Sequence, residues 1–360
     1  MKDKFPFSVE QPNGVTSDFL IVGAGPAGLA CALELSSFQQ RTVVVEKGCI
    51  ADSVYRFPDG MKFFSEGNSL ELGGFSMSVQ GSRPTRSEAI RYYRDVVRQA
   101  GIDVRQREPV ISIDGRKGDF QVRTSRALYR TRRVIVATGF YGEPNLLGVP
   151  GESLPKVAHY YRDAHPYFGQ DVTVVGGRNS AGIVATELAD AGARVTLIHH
   201  ADQFGMKPWI ASALRSRIDD GSIRALMNAR VTAILESSVS VKTSDSEMTI
   251  DNDFVFAMTG YRPDFEFLKR NGLPLTACGK RPVCDPETLE SGRAGIYYAG
   301  TVMAGIYTHE IAIESARRHG AKIVAAVARE ADTGSRQFPF RSTQTGELHA
   351  KLPSSCSTRT

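Results

Sequence analysis

An apolar strand leads directly into Gly23-Ala-Gly-Pro-Ala-Gly28, and a helical pattern follows this glycine turn. In such a pattern Gly23 allows the tight turn, Gly25 lets the backbone approach a pyrophosphate, and Gly28 lets the helix pack closely on the strand. Glu46 ends the next apolar strand, at a place where a carboxylate accepts hydrogen bonds from an adenosine ribose. The segment therefore predicts a Rossmann-type dinucleotide site rather than a merely structural glycine turn.

A second strand, turn and helix of the same kind surround Gly176-Gly-Arg-Asn-Ser-Ala181. Arg178 replaces the usual second glycine of the pattern, and Ala181 fills its close-packed position. His199 and His200 follow the next strand, where a site that prefers NAD carries an acid. The lack of an acid there favours NADPH over NADH, with Arg178 and His200 as positive partners for the 2′-phosphate.

Two dinucleotide sites in one chain imply electron transfer between two cofactors, normally a hydride from NAD(P)H to a tightly held flavin. The predicted fold class is α/β, with two Rossmann-like dinucleotide-binding domains, a discontinuous one for FAD and an inserted one for NADPH. The predicted segments are an N-terminal extension (1–17), the first part of the FAD-binding domain (18–145), the NAD(P)H-binding domain (146–264), the second part of the FAD-binding domain (265–330) and a disordered tail (331–360).

Composition and charge narrow the class of protein. Lys and Arg exceed Asp and Glu by 44 − 39 = 5, a modest excess that anionic small molecules explain without a nucleic-acid partner. The five cysteines are irregularly spaced with no C-x-x-C, which argues against a secreted disulfide framework. No apolar run has the ~20 residues of a spanning helix, and no signal peptide precedes Asp18. We therefore expect a cytoplasmic protein with no membrane segment, no nucleic-acid partner and no metal site.

The glycine motifs and the strand ends near them supply the predicted cofactor contacts. For FAD these are Gly23, Gly25, Pro26, Ala27, Gly28, Glu46, Lys47, Val110, Ala137, Thr138, Gly139, Gly300, Thr301 and Thr308. For NADPH they are Gly176, Gly177, Arg178, Asn179, Ser180, Ala181, His199, His200 and Gly260.

Several longer segments show a resemblance beyond the two motifs, over roughly residues 18 to 328. They include Ser53-Val-Tyr-Arg-Phe-Pro58, Met61-Lys-Phe-Phe-Ser65, Arg83-Pro-Thr-Arg-Ser-Glu-Ala89, Leu154-Pro-Lys-Val-Ala-His159 and Pro208-Trp-Ile210. With them the chain resembles the bacillithiol disulfide reductases, a branch of the thioredoxin reductase-like, two-dinucleotide-binding flavoproteins. The resemblance implies FAD, NADPH and reduction of a low-molecular-weight disulfide, with a small-molecule disulfide or another electron acceptor as partner. It also leaves a homo-oligomer open.

Three positions depart from the pattern of this branch and its superfamily. Many relatives carry a cysteine inside the first glycine motif, next to the flavin, where this chain has Ala27. His200 stands where relatives often use an arginine near the 2′-phosphate, and Thr301 where the wider superfamily usually has an aspartate. Because of Ala27, an oxygen-using flavin monooxygenase or oxidase stays open as an alternative, as does a nucleotide-binding redox sensor with little turnover.

Three residues are candidates for catalysis, each beside a structural alternative. Cys31 is either a redox thiol or a buried core thiol, since free cysteines are often buried. His159 either contacts the nicotinamide or substrate, or packs in the connection between domains. His309 is predicted near the start of the final helix, in Tyr307-Thr308-His309, either as a proton donor to the flavin or as a solvent-facing residue.

Overall fold

A computed structural model of the chain describes residues 17–333, with side chains as far as residue 330. Of the predicted N-terminal extension only Ser17 is described, and of the predicted tail only the backbone of residues 331–333. The contacts divide the chain into two units. The first runs as far as Tyr55, continues over Phe63–Gly142 and resumes at Pro263, and the second consists of Arg56–Lys62 and Glu143–Arg262.

The first unit opens with a strand, a helix and a second strand, as the glycine motif predicts. Pro26 lies in the first turn of the helix, where its missing N–H leaves no hydrogen bond unmade. Thr85 and Glu88 form a capping box that starts the long helix of this part. In chain order the elements are β1 (Ser17–Val22), α1 (Pro26–Ser37), β2 (Thr42–Val45), α2 (Asp52–Tyr55), α3 (Gly67–Leu70), α4 (Arg86–Ala100), β3 (Val104–Arg105), β4 (Val110–Arg116), β5 (Asp119–Thr124) and β6 (Leu128–Val136).

The second unit repeats the strand, helix and strand pattern around the second glycine motif. Pro208 lies in the first turn of its second helix, as Pro26 does in α1. In chain order the elements are β7 (Glu143–Pro144), β8 (Val157–Ala158), a 3-10 turn (His165–Tyr167), β9 (Asp171–Val175), α5 (Asn179–Asp190), β10 (Arg194–Ile198), α6 (Pro208–Asp219), β11 (Ile223–Leu226), β12 (Arg230–Ile234), β13 (Ser238–Lys242), β14 (Glu247–Asp251), β15 (Phe254–Ala257) and β16 (Tyr261–Arg262).

The chain then returns to the first unit and completes its sheet. A last strand pairs with β6, and a long helix packs against α1. None of the described helices is both long and apolar enough to cross a membrane. The elements are α7 (Phe265–Arg270), β17 (Ile296–Tyr298), a 3-10 turn (Gly300–Ala304), α8 (Ile313–Ala316) and α9 (His319–Thr333).

A seven-stranded sheet forms the centre of the first unit. The strands β3, β2, β1 and β6 lie side by side in parallel, and β17 adds to the last residues of β6, also in parallel. The remaining two, β5 and β4, extend from the first half of β6 as an antiparallel meander. The carboxyl ends of β1, β2, β6 and β17 therefore share one edge, where Gly23, Glu46, Ala137 and Ala299 follow them.

The second unit has its own parallel sheet, with strand order β11-β10-β9-β15-β8. At its carboxyl edge Gly176 follows β9, His199 follows β10 and Met258 follows β15. A three-stranded antiparallel sheet, β12-β13-β14, and the antiparallel pair of β7 with β16 complete the unit. The predicted α/β class with two Rossmann-like units is confirmed.

Burial on both faces explains why β1 is apolar throughout its second half. Leu20 and Val22 lie in one core cluster with Val134 of β6. Phe19 and Ile21 alternate with them along the strand and are equally buried on the opposite face. A parallel strand covered on both faces has this continuous apolar pattern.

The final helical region starts later than the sequence predicts. The expectation that Tyr307-Thr308-His309 opens the final helix is wrong, because these residues lie in a turn and the next helix, α8, begins at Ile313. The Arg281 guanidinium lies 4.3 Å from the centre of the Tyr307 ring and pairs with Glu310 at 2.6 Å. These contacts hold the segment against the loop that carries Arg281, which favours a turn over a helix.

Asn271 joins the two parts of the first unit, and its loss is expected to destabilise the fold. Its Oδ1 accepts a hydrogen bond from the N–H of Ile113 in β4 at 2.6 Å, and its Nδ2 donates to the Phe267 carbonyl oxygen at 2.7 Å. In Asn271→Ala the buried N–H of Ile113 loses its acceptor, so we expect the free energy of unfolding to fall by about 2 kcal/mol. Urea unfolding followed by circular dichroism measures this loss.

The same change at the exposed Asn68 is the matched control, with an expected effect below about 0.5 kcal/mol. Equal losses in the two variants would contradict the assigned role of Asn271.

Candidate functional site

The turn after β1 is held by two close backbone approaches. Gly23 has a φ of +111°, and a Cβ there would lie 2.5 Å from the Ala137 carbonyl oxygen. A Cβ on Gly28 would overlap the carbonyl oxygen of Gly23. Because backbone atoms make both contacts, no side-chain movement relieves them. The start of α1 is therefore fixed against the ends of β1 and β6.

Gly25, between these two glycines, faces open space instead. It is the residue before the first turn of α1, and its Cβ position has no atom within 4 Å. No described side chain caps the first N–H groups of this helix. These N–H groups and the positive end of the helix dipole are the features that bind a pyrophosphate. The cradle therefore fits the phosphates of a dinucleotide.

Glu46, at the end of β2, is fixed beside this cradle and only 6% exposed. Its Oε2 accepts the N–H of Ala24 and its Oε1 that of Gly48, both at 2.7 Å. Burial raises the pKa of Glu46, and the two backbone N–H groups partly oppose that rise. Each carboxylate oxygen keeps a further lone pair. The predicted contact of Glu46 with ribose hydroxyls is compatible with these free lone pairs and stays a prediction.

Segments after β6 and β17 reach the same edge. Gly300 has a φ of +79°, and a Cβ there would lie 2.7 Å from the Cβ of Ala27 in the glycine motif. A Cβ on Gly139 would lie 3.5 Å from Oγ1 of Thr301. The structure therefore brings together the first glycine motif, the Ala137-Thr138-Gly139 strand end and the Gly300-Thr301 turn.

The other predicted FAD contacts are more scattered. Lys47 is exposed, and its Nζ lies 2.7 Å from the Cβ position of Gly142. Val110 begins β4, two residues after Glu108, whose N–H donates to the Glu46 carbonyl oxygen at 2.8 Å. Thr308 lies in the turn before α8 rather than at a helix start. Lys47 and Val110 are therefore close in the chain or in space to Glu46, and Thr308 is not part of the cluster described above.

Cys31, one helical turn beyond Ala27, is fully buried in α1. A Cβ on Gly320 of α9 would lie 3.0 Å from its Cα. Burial raises the pKa of the Cys31 thiol to about 12. Only the thiolate is reactive, and burial with a raised pKa keeps Cys31 protonated. Of the two interpretations of Cys31, the structure therefore favours a core thiol over a redox thiol.

Cys49 and Cys284 also lack the surroundings of a reactive thiolate. Burial and the neighbouring Asp52 raise the pKa of Cys49 to about 11, and burial raises that of Cys284 to about 12. Cys278 is exposed. Cys356 lies outside the described residues.

In the second unit, His199 is part of the fold of the glycine loop. Its ring occupies the space where a Cβ on Gly177 would be, and it stacks on Phe204 with ring centres 5.6 Å apart. Its Nε2 lies 3.0 Å from the carbonyl oxygen of Gln203, so the ring proton of the neutral form is on Nε2. Burial lowers the pKa of His199. His199 therefore packs as a neutral ring rather than serving as a cation.

The two residues predicted to pair with a 2′-phosphate, Arg178 and His200, lie on the surface at this edge. Arg178 is exposed and precedes the first turn of α5, and His200 is exposed beside His199. Asn179 has another task, since its Oδ1 accepts the N–H of Lys207 at 2.9 Å. Of the remaining predicted NADPH residues, Gly176 follows β9, Ser180 and Ala181 lie in the first turn of α5, and Gly260 directly precedes β16.

His159 lies in the connection that leads into the second unit. Its Nε2 is 3.6 Å from Oε1 of Glu152, whose carboxylate accepts the N–H groups of Leu147 and Gly148. Its own carbonyl oxygen accepts the hydroxyl of Tyr261 at 2.7 Å. These contacts favour the packing interpretation of His159 over a contact with nicotinamide or substrate.

His309 is exposed in the turn before α8. The hypothesis that it donates a proton from the start of a helix therefore loses its structural basis. Another histidine, His319, contacts the first site instead, although it is not among the predicted site residues. Its Nδ1 accepts the N–H of Gly300 at 3.0 Å. An isolated histidine in an apolar helical pattern gives no sequence signal for such a contact.

Gly25 and Gly28 offer a test that separates cofactor binding from folding. In Gly25→Ala the new methyl group enters the open cradle, so we expect FAD affinity to fall by about tenfold or more while the free energy of unfolding changes by less than about 1 kcal/mol. In Gly28→Ala the methyl group meets the backbone of Gly23, so we expect destabilisation of the cofactor-free protein. Flavin fluorescence on FAD release and urea unfolding measure the two effects. A Gly25→Ala protein that binds FAD like the wild type would contradict the assignment of the cradle.

Comparison with known proteins places the chain in a family. The family described as pyridine nucleotide-disulphide oxidoreductase matches residues 20–300. Bacilliredoxin reductase Bdr of Bacillus subtilis (strain 168) is 40% identical over 314 residues, which cover 86% of this chain and 97% of that protein.

Two solved structures agree with this placement. Bacillithiol disulfide reductase Bdr from Staphylococcus aureus has a TM-score of 0.84 and 37% identity, with 87% of this chain and 98% of that chain covered. The Bdr structure from Bacillus cereus has a TM-score of 0.85 and 37% identity, with 87% and 99% covered. The resemblance inferred from the sequence is thus confirmed. The chain belongs to the pyridine nucleotide-disulphide oxidoreductase family and is a flavin-dependent enzyme that uses FAD and NADPH.

Proposed function

We propose that this chain reduces a low-molecular-weight disulfide of the bacillithiol type with electrons from NADPH. One NADPH and one proton are consumed for each disulfide, whose S–S bond breaks to give two thiols. The observation that carries the proposal is the likeness to Bdr proteins over nearly their whole length. Reduction of a small disulfide suits the cytoplasm, where thiols are kept reduced, so we also propose that location. A homo-oligomer remains an expectation of the family resemblance.

The first unit is the proposed FAD-binding domain. When bound, FAD accepts a hydride from NADPH and passes two electrons to an acceptor. The N–H groups at the start of α1, beside Gly25, bind the pyrophosphate. Glu46 accepts the ribose hydroxyls with the lone pairs that Ala24 and Gly48 leave free. The Gly300 turn forms a further part of the site's edge through its contact with Ala27.

The second unit is the proposed NADPH-binding domain. The N–H groups at the start of α5, after Gly176, bind the pyrophosphate of NADPH, as those at the start of α1 bind the pyrophosphate of FAD. Arg178 and His200 supply exposed donors for the 2′-phosphate. His199 packs against Gly177 and so supports the glycine loop after β9. Because burial lowers its pKa, it adds no positive charge for the phosphate.

The proposed reaction proceeds without a protein thiol beside the flavin. Ala27 occupies the position where many relatives carry a cysteine. Cys31, one turn later in α1, is fully buried where α9 packs on this helix. Disulfide reduction through a protein relay needs an accessible thiolate. Bound FAD would supply the two electrons for the disulfide without a relay through Cys31, and this chain would bind and orient the cofactor and the disulfide.

The deciding experiment uses the purified holoprotein without oxygen. The flavin is first reduced with NADPH, bacillithiol disulfide is then added, and the visible flavin band is followed. We expect prompt reoxidation in the wild type and an unchanged rate, within about twofold, in Cys31→Ala, because the buried thiol takes no part.

Each other outcome has a distinct meaning. Reoxidation only after air is admitted would overturn the disulfide proposal and favour the oxygen-using alternative. If the disulfide reoxidises the reduced wild-type protein but not a stably folded Cys31→Ala protein, Cys31 is the thiol that relays the electrons.

Arg178 provides a test of nucleotide selection. We expect Arg178→Gln to raise the KM for NADPH by about tenfold and to change the KM for NADH little, because only NADPH carries the 2′-phosphate. Arg194→Gln is the matched control, since Arg194 begins β10 at the opposite end of the strand and forms an exposed pair with Asp171. The steady-state rate of nucleotide oxidation in the presence of an electron acceptor, measured at varied NADPH or NADH, gives the two KM values. An equal rise for NADPH and NADH would contradict the assigned role of Arg178.

A further inference from the structure

His319, the first residue of α9, makes a contact that neither glycine motif predicts. Its Nδ1 accepts a hydrogen bond from the backbone N–H of Gly300 at 3.0 Å. Because a backbone N–H only donates, Nδ1 must carry no proton, and the neutral ring holds its proton on Nε2. Burial, with Lys322 as a smaller cause, lowers the pKa of His319 to about 4. The imidazole is therefore neutral at neutral pH and acts as a fixed acceptor.

The N–H that His319 accepts belongs to a residue under unusual constraint. Gly300 is buried, and its φ of +79° is in the left-handed region that favours glycine. The preceding N–H, of Ala299, still donates to Val136 in the sheet at 3.0 Å. At Gly300 the chain leaves the sheet, and the histidine supplies the acceptor that a strand would otherwise provide. An unmade hydrogen bond at such a buried N–H is costly.

The same turn touches the cofactor cradle. A Cβ on Gly300 would lie 2.7 Å from the Cβ of Ala27, so the turn packs directly on the glycine motif. His319 itself is fixed by the crossing of α9 on α1. A Cβ on Gly320, the next residue, would lie 3.0 Å from the Cα of Cys31 and 3.2 Å from the Ala30 carbonyl oxygen. The packing of α9 on α1 thus determines the position of the His319 imidazole. The imidazole in turn holds the Gly300 turn through its hydrogen bond.

We propose that His319 is a positioning residue for bound FAD, whose neutral imidazole holds the Gly300 turn against Ala27 and so fixes one edge of the flavin site. The inference rests on the proposed function in one respect, namely that FAD occupies the first unit. It does not depend on the identity of the disulfide.

Three substitutions at His319 separate the acceptor from the bulk of the ring. In His319→Asn the amide oxygen stands close to the place of Nδ1 and keeps an acceptor. In His319→Gln the amide group stands nearer the place of Nε2, and in His319→Leu the acceptor is lost. His165→Leu makes the same change at an exposed histidine of the second unit and serves as the control.

The measurements are FAD release from the holoprotein, followed by flavin fluorescence, and the midpoint potential and visible spectrum of the bound flavin. We expect His319→Leu and His319→Gln to weaken FAD binding by about tenfold and to shift the potential or the flavin band. His319→Asn should stay within about threefold of the wild type, and His165→Leu should match it.

The outcomes that would overturn the proposal are equally definite. A folded His319→Leu protein with wild-type FAD affinity, spectrum and potential would do so. If His319→Leu does not fold, the Asn and Gln variants decide, and equal weakening in both would show that the acceptor is not what matters. A wild-type protein that binds no FAD would instead overturn the proposed function, and with it this inference. Loss of disulfide reduction alone, with FAD binding as expected, would leave the role of His319 supported.

Discussion

The first site depends on one contact, the approach of the α1 backbone to the ends of β1 and β6. Gly28 meets the Gly23 carbonyl oxygen, and Gly23 meets that of Ala137, with no room for a methyl group at either place. Close-packed backbone of this kind does not deform gradually. The position of α1 therefore determines where its free N–H groups point, where Ala27 supports Gly300, and where α9 crosses at Gly320.

The sequence predicts this part of the molecule because its signals are local. The spacing of the glycines in residues 23–28 reports directly on a turn, and the apolar strands around it report on burial from both sides. The same holds for the strand, turn and helix around the second motif. Contacts between distant segments leave no such trace. Asn271 accepts from Ile113 across 158 residues of chain, and Arg281 keeps Tyr307 in a turn where periodicity predicts a helix.

The burial of two histidines decides what each of them does, and the sequence does not show that burial. His199 and His319 both lie near a glycine turn that follows a strand, and burial lowers the pKa of both. Each acts as a neutral ring, one by covering Gly177 and one by accepting the N–H of Gly300. By position in the chain His199 and His200 were both predicted contacts of NADPH, but only His200 is exposed. A histidine's partners can be assigned only once its burial is known.

Burial also decides what the thiol of Cys31 can do. Residues four apart in a helix share a face, so Cys31 lies on the side of α1 that carries Ala27, but one turn further from the cradle. At that depth α9 covers the helix, with Gly320 against Cys31, and the thiol has neither access nor a lowered pKa. A cysteine at position 27 would lie beside the Gly300 turn, whereas the cysteine at 31 lies behind it. One turn along this helix therefore separates a position beside the Gly300 turn from a position buried under α9, and for this reason the proposed reduction gives Cys31 no part.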